Sequence, residues 1–312
     1  MSVCIYAPAS SANLSVGFDL LGLALKPLDG SLLGDWVQAE FSATPSLACC
    51  GPFAKDLPGD NIVDRARERF GAALAARGMA ARPAALCLYK GLPVGSGLGS
   101  SATSVVAALV ALNELHDGPL DDDELLALMG ELEASISGAR HFDNLAPAFL
   151  GGLRLITGGQ HSRALPTPDA VWLIAYPGVR LDTREARACL PEALSLEDSL
   201  AVARRLAAFV DACHNRDPAC FAQMVDIIAE PRRQALIPGC RPAWQAMADC
   251  GALATGISGS GPSLYGCFAD QASAALAKAR LEQQFLVGKD GFVVLCTVDQ
   301  QGARALGEQA CN

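Results

Sequence analysis

Pro93-Val94-Gly95-Ser96-Gly97-Leu98-Gly99-Ser100-Ser101-Ala102-Thr103 stands between an apolar segment with strand character, Ala84 to Tyr89, and a helix pattern of small residues from Ala102 to Leu115. Three glycines at alternate positions let the backbone fold tightly and turn successive N–H groups one way. The open N–H groups and partial positive charge of the following helix start deepen that concavity. Ser100 and Ser101 bring hydroxyls to the helix entrance, where they can cap it or touch a metal. The stretch reads as an anion site, and a phosphate fits it. A glycine turn that merely joins a strand to a buried helix would explain a lone Gly-x-Gly. Three alternating glycines, two serines and a helix start favour phosphate. The run lacks the Gly-Lys-Ser/Thr ending of a Walker A loop, so no phosphate-gripping lysine lies inside it. It also lacks the two residues that a dinucleotide fingerprint needs between its second and third glycines.

The rest of the chain bounds what such a site can serve. With 312 residues it is long enough for a large core and two lobes. Half of the residues are hydrophobic and 18% are charged, an ordinary globular balance. A net charge of −9 argues against a nucleic-acid surface, which needs a basic face. Arg184/Arg187 and Arg232/Arg233 remain compatible with small anionic ligands. The start of the chain lacks the charged and apolar regions of a signal peptide. The longest apolar run, Val105 to Leu112, is far below the ~20 residues of a membrane span. A soluble, cytoplasmic protein is the expectation. Twelve cysteines show no Cys-x-x-Cys, and the four histidines do not join them at zinc spacing. That argues for small buried apolar filler and against metal or disulfide roles.

Val3 to Ala7 is strand-like, and Leu14 to Leu25 is apolar and punctuated by glycine. Asp35 to Phe41 alternates as a strand does. Asn61 is placed to cap a helix to about Ala76, stopped by Gly78. Asp121 and Glu124 have capping-box spacing at the start of a helix that carries Glu131 and Glu133. Val171 to Tyr176 reads as a buried strand. Ser199 to Asn215, Ala219 to Ala229, Ala243 to Cys250 and Gln271 to Gln284 read as helices. Gly256-Ile-Ser-Gly-Ser-Gly-Pro262 is a second glycine-rich loop before a strand, Ser263 to Phe268, and Phe292 to Val298 is a last strand. Strands and helices mix in both halves, so the class is α+β, with a lobe boundary between Gly152 and Pro168.

Ala7-Pro-Ala-Ser-Ser-Ala-Asn-Leu-Ser-Val-Gly-Phe-Asp19, Pro93 to Thr103 and Gly256 to Pro262 together resemble the GHMP kinases, the galactokinase, homoserine, mevalonate and phosphomevalonate kinases. Within them the first segment resembles the homoserine kinases. So do His141-Phe-Asp-Asn144, Tyr176-Pro-Gly178 and Glu230-Pro-Arg-Arg233, and the likeness runs along essentially the whole chain. The resemblance implies a two-lobed fold: a ribosomal-protein-S5-like, nucleotide-binding N-terminal lobe (residues 1–160) and a ferredoxin-like C-terminal lobe (161–312), with the site between them. It implies ATP, Mg²⁺ and L-homoserine, O-phospho-L-homoserine and ADP as products, a step toward threonine, and a homodimer.

The family pattern places Pro93 to Thr103 on the triphosphate, and Ser101 and Glu133 on magnesium, which needs few protein oxygens. Glu131, roughly 200° away on a helix of ~3.6 residues per turn, cannot share that role. Asn61 resembles the family's adenine contact; a plain helix cap is the alternative. Lys90 could assist with phosphate, although a solvated lysine is the simpler reading. Homoserine offers an ammonium, a carboxylate and a hydroxyl, each needing a partner. Asp143 suits the ammonium, and Arg187 and Arg233 suit the carboxylate through forked donors. Asn13, Asp19 and Asn144 resemble the remaining substrate contacts. Asp19 and Asn144 are the expected catalytic residues, with Asp19 a general-base candidate beside a route that uses no protein base. His141 reads as a loop residue shaping the pocket. Arg232 departs from the family pattern, which has an aromatic residue there, and leaves open which arginine points inward. As isolated residues the arginines would read as surface ion pairs, worth little, and Asn13 as a turn residue. Two further readings stand beside homoserine: a GHMP kinase for another small alcohol such as mevalonate, which has no ammonium, and a non-catalytic metabolite sensor, which should have lost Glu133 or the arginines.

Overall fold

In a computed structural model that describes residues 2–307, both ends of the chain contribute strands to two sheets. β1 (Ser2–Pro8), β2 (Ser10–Ala12), β3 (Leu21–Pro27), β4 (Gly34–Phe41) and β5 (Ser46–Cys50) lead to helix α1 (Ile62–Ala76). β6 (Ala84–Tyr89) and the glycine run deliver α2 (Ser100–Leu115), followed by α3 (Asp122–Ser137) and α4 (Leu145–Leu150). β7 (Leu153–Gly158), β8 (His161–Leu165) and β9 (Val171–Tyr176) precede α5 (Thr183–Ala188), α6 (Leu196–His214), α7 (Ala219–Ala222), α8 (Glu230–Arg233) and α9 (Cys240–Asp249). β10 (Ala254–Ile257), β11 (Leu264–Phe268), α10 (Gln271–Gln284), β12 (Phe292–Val298) and β13 (Arg304–Ala305) complete the order.

The first sheet runs β13-β1-β4-β6-β5, antiparallel except for β5 beside β6. The second runs β10-β11-β9-β12-β3-β7-β8, antiparallel throughout, with β2 added on β3. β2 and β3 thus cross early into the sheet built mainly from later strands, and β13 returns to flank β1. The architecture is a two-lobed α+β fold in which strands from both halves of the chain share the second sheet.

α2 is the pivot. Its Ala and Val residues keep it thin, and it is apolar nearly all round, as a helix enclosed on every side must be. It lies on β1 and β4 while α1 and α3 pack against it. Val105, Leu109 and Leu112 share one core with Ile5, Val37, Leu88, Phe70 and Leu74, each worth roughly 1.5–3 kcal/mol when buried. α1 starts where Asn61 Oδ1 accepts from Val63 N–H. α3 starts at the Asp121/Glu124 capping box and stops at Gly138. The second core joins Leu21, Leu23 and Leu25 to Trp172, Phe209 and Tyr265. α9 and α10 cover the second sheet through Met247, Leu281 and Phe285.

Two expectations need correction. The helix expected from Ala219 to Ala229 ends after a single turn, at Ala222. Past Ala222 the N–H groups of Gln223 and Met224 go to carbonyls three residues back and that of Val225 to Gln223 O, and the Asp226 carboxylate then takes the N–H groups of Ile228, Ala229 and Glu230, so no i−4 ladder continues. Cysteine usage is also mixed: Cys213, Cys220, Cys240, Cys267 and Cys296 are buried, but Cys49 and Cys50 are exposed. Cys4 is disulfide-bonded. Spacing along the chain could not foresee that, because it does not say which segments lie side by side. Among the described residues no helix is long and apolar enough to cross a membrane.

Candidate active site

The glycine run forms one wall of a cavity of about 930 Å³. Every carbonyl of the run's centre is turned into the protein. Leu181 N–H donates to Gly95 O (3.1 Å), Ser263 N–H to Ser96 O (3.1 Å), and Ser258 Oγ to Gly97 O (2.8 Å). Ser10 N–H donates to Leu98 O (3.2 Å) and Thr103 N–H to Gly99 O (2.9 Å). Among the described residues, no backbone N–H from Val94 to Ala102 donates to the protein. Acceptors spent on the protein and donors left open make an anion nest. Gly97 needs its glycine twice over: φ is +80°, and a Cβ would strike the carbonyls of Ser258 and Gly261 in the second glycine loop. Val94, Gly95, Ser96, Gly97, Gly99, Ser100, Ser101 and Ala102 line the cavity; Pro93, Leu98 and Thr103 do not. Leu98 is buried in the second core, and the Thr103 hydroxyl turns inward to Asp35 (2.8 Å).

Beneath the run lies an ion pair that the sequence did not suggest. Lys90, read as solvated, is 1% exposed and pairs with Asp35. Its ammonium also donates to Ser100 O (2.6 Å) and Ser104 Oγ (2.9 Å). Asp35 accepts from Gly91 N–H (3.0 Å), Leu92 N–H (3.1 Å), Thr103 Oγ1 (2.8 Å) and Ser104 Oγ (2.7 Å). Burial pulls the lysine down in pKa, and Asp35 pulls it back up. The pair welds the end of β6 to the first turn of α2. Its full set of partners is what a buried pair needs to persist.

The expected substrate residues converge on the same cavity. Asn13, Asp19, Asp143, Asn144, Arg187 and Arg233 all line the cavity. Asp143 is 4% exposed, and its Oδ1 has no hydrogen-bond partner among the described residues. Burial, and then the nearby Asp19 and Glu133 charges, push its carboxyl up to about 7. Its place depends on β3: a side chain at Gly22 would collide with the Asp143 carbonyl. Arg187 Nη2 contacts both oxygens of Asp19, each at 2.9 Å. Arg233 is 3% exposed and donates to Ala186 O and Gly259 O, both 3.0 Å. Arg232 is exposed and turns back to Ile228 O, so Arg233 is the inward arginine. The two arginines flank the Phe18 ring, at 5.8 Å for Arg187 and 5.3 Å for Arg233. Asn13 Nδ2 also donates to Gly259 O (2.9 Å), and its Oδ1 accepts from Asp19 N–H (2.9 Å). Asn144 Oδ1 accepts from Ser10 Oγ (2.9 Å). His141 Nδ1 lies 3.6 Å from Asp19, and burial lowers its pKa.

Glu133 and Glu131 separate as helix geometry requires. Glu131 pairs with Arg69 and Arg140, while Glu133 lines the cavity. Burial pushes the Glu133 carboxyl up to about 7, with the Ser101 hydroxyl working in the opposite direction. Ser101 Oγ and Glu133 Oε2 are both buried oxygens beside the anion nest. One carboxylate and one hydroxyl are a hard, incomplete donor set, suited to a magnesium ion that keeps waters and phosphate oxygens as its other ligands. A cation there would also relieve the burial that holds the carboxyl up.

Asn61 does both things considered for it: it caps α1 and lines the cavity, with Nδ2 directed at Cys49 Sγ (3.4 Å). Arg180, unremarked in the sequence, packs its stem over Gly95 and lines the cavity with Arg65 and Arg184. No motif marked it, because its position is fixed by the contact between Leu181 and Gly95 and not by its neighbours in sequence.

Known proteins share this fold. The family models described as the GHMP kinases N-terminal and C-terminal domains match residues 61–152 and 209–287. The crystal structure of homoserine kinase from Cytophaga hutchinsonii is 32% identical, covers 98% of this chain and 97% of its own, and superposes with a TM-score of 0.89. A putative homoserine kinase from Listeria monocytogenes (24% identity, 98% and 100% covered, TM-score 0.72) shares the fold. So does the Streptococcus pneumoniae phosphomevalonate kinase (16%, 98% and 99%, 0.70).

Proposed function

This chain belongs to the GHMP kinase family, and we propose that it transfers the terminal phosphoryl group of ATP to the side-chain hydroxyl of L-homoserine. One observation carries the choice of acceptor. A buried carboxyl with an open oxygen, Asp143, and two arginines, Arg187 and Arg233, share one cavity with the N–H-lined glycine run. An ammonium, a carboxylate and a phosphate can therefore be held at once. The 32%-identical homoserine kinase supports the same reading.

In this reading residues 1–160 supply most of the nucleotide side, residues 161–312 bring Arg187, Arg233 and the second glycine loop, and ATP lies between Asn61 and the run. Asp143 takes the ammonium, and the remaining donors of Arg187 and Arg233 take the carboxylate. Asp19, fixed by Arg187 and Asn13, and Asn144, fixed by Ser10, orient the hydroxyl. Ser101 and Glu133 would hold Mg²⁺, which when bound neutralises phosphate charge. Phosphoryl transfer through a loose transition state asks mainly for such alignment and charge balance. The product, O-phospho-L-homoserine, stands on the route to threonine. The test is ADP release with Mg·ATP and, separately, L-homoserine, L-serine, L-threonine, mevalonate and galactose. Homoserine alone should support rapid turnover; folded protein without homoserine-dependent ADP release rejects the proposal.

A further inference from the structure

Behind the cavity wall, and not lining it, three side chains form a buried cluster. Ser15 Oγ lies 2.6 Å from Glu230 Oε1 and 2.5 Å from the Tyr265 hydroxyl. The same Glu230 oxygen accepts from Ile257 N–H (2.8 Å). Protons can run in one direction, from Tyr265 to Ser15 and from Ser15 to Glu230. Gly256 faces the cluster, and a side chain there would collide with all three polar atoms. The cluster therefore joins the turn after β2, the start of α8, and the strands β10 and β11.

Two features say what this junction is for. The turn holds Asn13, Leu14, Ser15 and Asp19 at φ of +71°, +47°, +59° and +58°. Side-chain-bearing residues keep such values only where their surroundings impose them. Asn13 and Asp19, at its two ends, face the cavity, and Ser15 lies between them. Glu230 also begins the helix that ends in Arg233, and Arg233 and Asn13 donate to the same carbonyl, Gly259 O.

We propose that Glu230 is a positioning residue: through Ser15 and Ile257 it holds the strained turn and the Arg233 helix in the geometry that the amino-acid substrate meets. The inference rests on the homoserine-kinase reading for its substrate. Charge state supports it. Burial pushes the Glu230 carboxyl up to about 8, Ser15 and the Ile257 N–H oppose this, Asp226 raises it and Arg233 lowers it. The other titratable groups facing it are Tyr265 on β11 and Cys240 on α9. Burial thus favours the uncharged carboxyl, and ionising it would put a buried anion close to Asp226.

The test pairs a substrate readout with one that needs no substrate. Glu230→Ala and Ser15→Ala should raise the homoserine KM by about tenfold while the ATP KM stays within about twofold. Glu230→Gln keeps an accepting oxygen and should restore most of the homoserine KM. If Glu230→Ala does not fold, Ser15→Ala carries this arm. For the free protein, melting temperature is followed from pH 6.5 to 9. A folded-state pKa raised above the unfolded one means that stability falls as pH rises toward about 8. The wild type should show this fall, and Glu230→Gln should show less of it. An unchanged homoserine KM in folded Ser15→Ala or Glu230→Ala, or an equal rise in both KM values, overturns the positioning role. An unaltered pH slope in Glu230→Gln overturns the uncharged clamp. If the wild type does not phosphorylate homoserine, the substrate reading fails, while the melting comparison still reports on Glu230.

Discussion

Asp143 is a carboxyl whose environment opposes its charge until something cationic arrives. In the free protein its raised pKa makes the folded state hold a proton that the unfolded chain has released, so stability declines as pH climbs from about 4 to about 7. Asp143→Asn should therefore stabilise the free protein at pH 8, by ~1–2 kcal/mol, while abolishing homoserine binding. Denaturant melts and calorimetric titration together check the trade; a destabilised variant would mean that the Asn144 N–H bond to the carboxyl outweighs the cost of its buried charge. Arg187 sits on the other side of the balance. Arg187→Ala leaves Asp19 without its guanidinium and removes a partner of the substrate carboxylate; losing one member of a charge pair that bound substrate closes off from water costs ~2–5 kcal/mol, so homoserine KM should rise at least ~30-fold. An unchanged KM removes it from the pocket. At the metal side, Glu133→Gln should cripple magnesium-dependent turnover and Glu131→Gln should not, since Glu131 is spent on Arg69 and Arg140. The opposite pattern in a magnesium titration reassigns the ligand.

At the scale of elements, the glycine run acts through what braces it. Gly97→Ala would combine an unfavourable φ with a collision against the second glycine loop. ATP affinity measured by fluorescence competition should fall by at least tenfold, the weight of roughly one to two lost hydrogen bonds to charged oxygens. Unaltered ATP affinity would show that the loop is free to shift. Much of this element was legible beforehand. Alternating glycines before a helix of small residues announced a nest, and the capping residues Asn61 and Asp121 fixed two helix starts within a residue. What stayed hidden needed a third dimension. Lys90 looked solvated because its partner Asp35 lies 55 residues away in sequence, and only the β4–β6 pairing brings them together. Arg180 carried no signature, because its neighbour is Gly95, across the cavity wall. The choice between Arg232 and Arg233 also waited on the fold, since both sit on one turn of helix and only burial separates them.

For the whole molecule, the site belongs to no single contiguous segment. Asn13 and Asp19 come from the turn between β2 and β3, the nest from the β6–α2 junction, and Arg233 from α8. β3, which fixes Asp143 through Gly22, is itself held between β7 and β12. A chain ended at residue 290 would keep the glycine run, Arg187, Arg233 and the whole of the cavity lining, yet lose β12 and β13. Such a chain should fail to bind nucleotide in equilibrium dialysis; retained binding would show that β3 can stand without its neighbour. The β3–β12 pairing, in which Leu25 meets Val298, also sets a timetable. At ~5–20 residues per second, a ribosome that has finished β3 needs tens of seconds to supply the strand it will lie against. During that interval the Leu25–Pro27 end of an early apolar strand lacks its native neighbour. The growing chain must be kept from pairing wrongly, and the cleft is among the last things that synthesis completes.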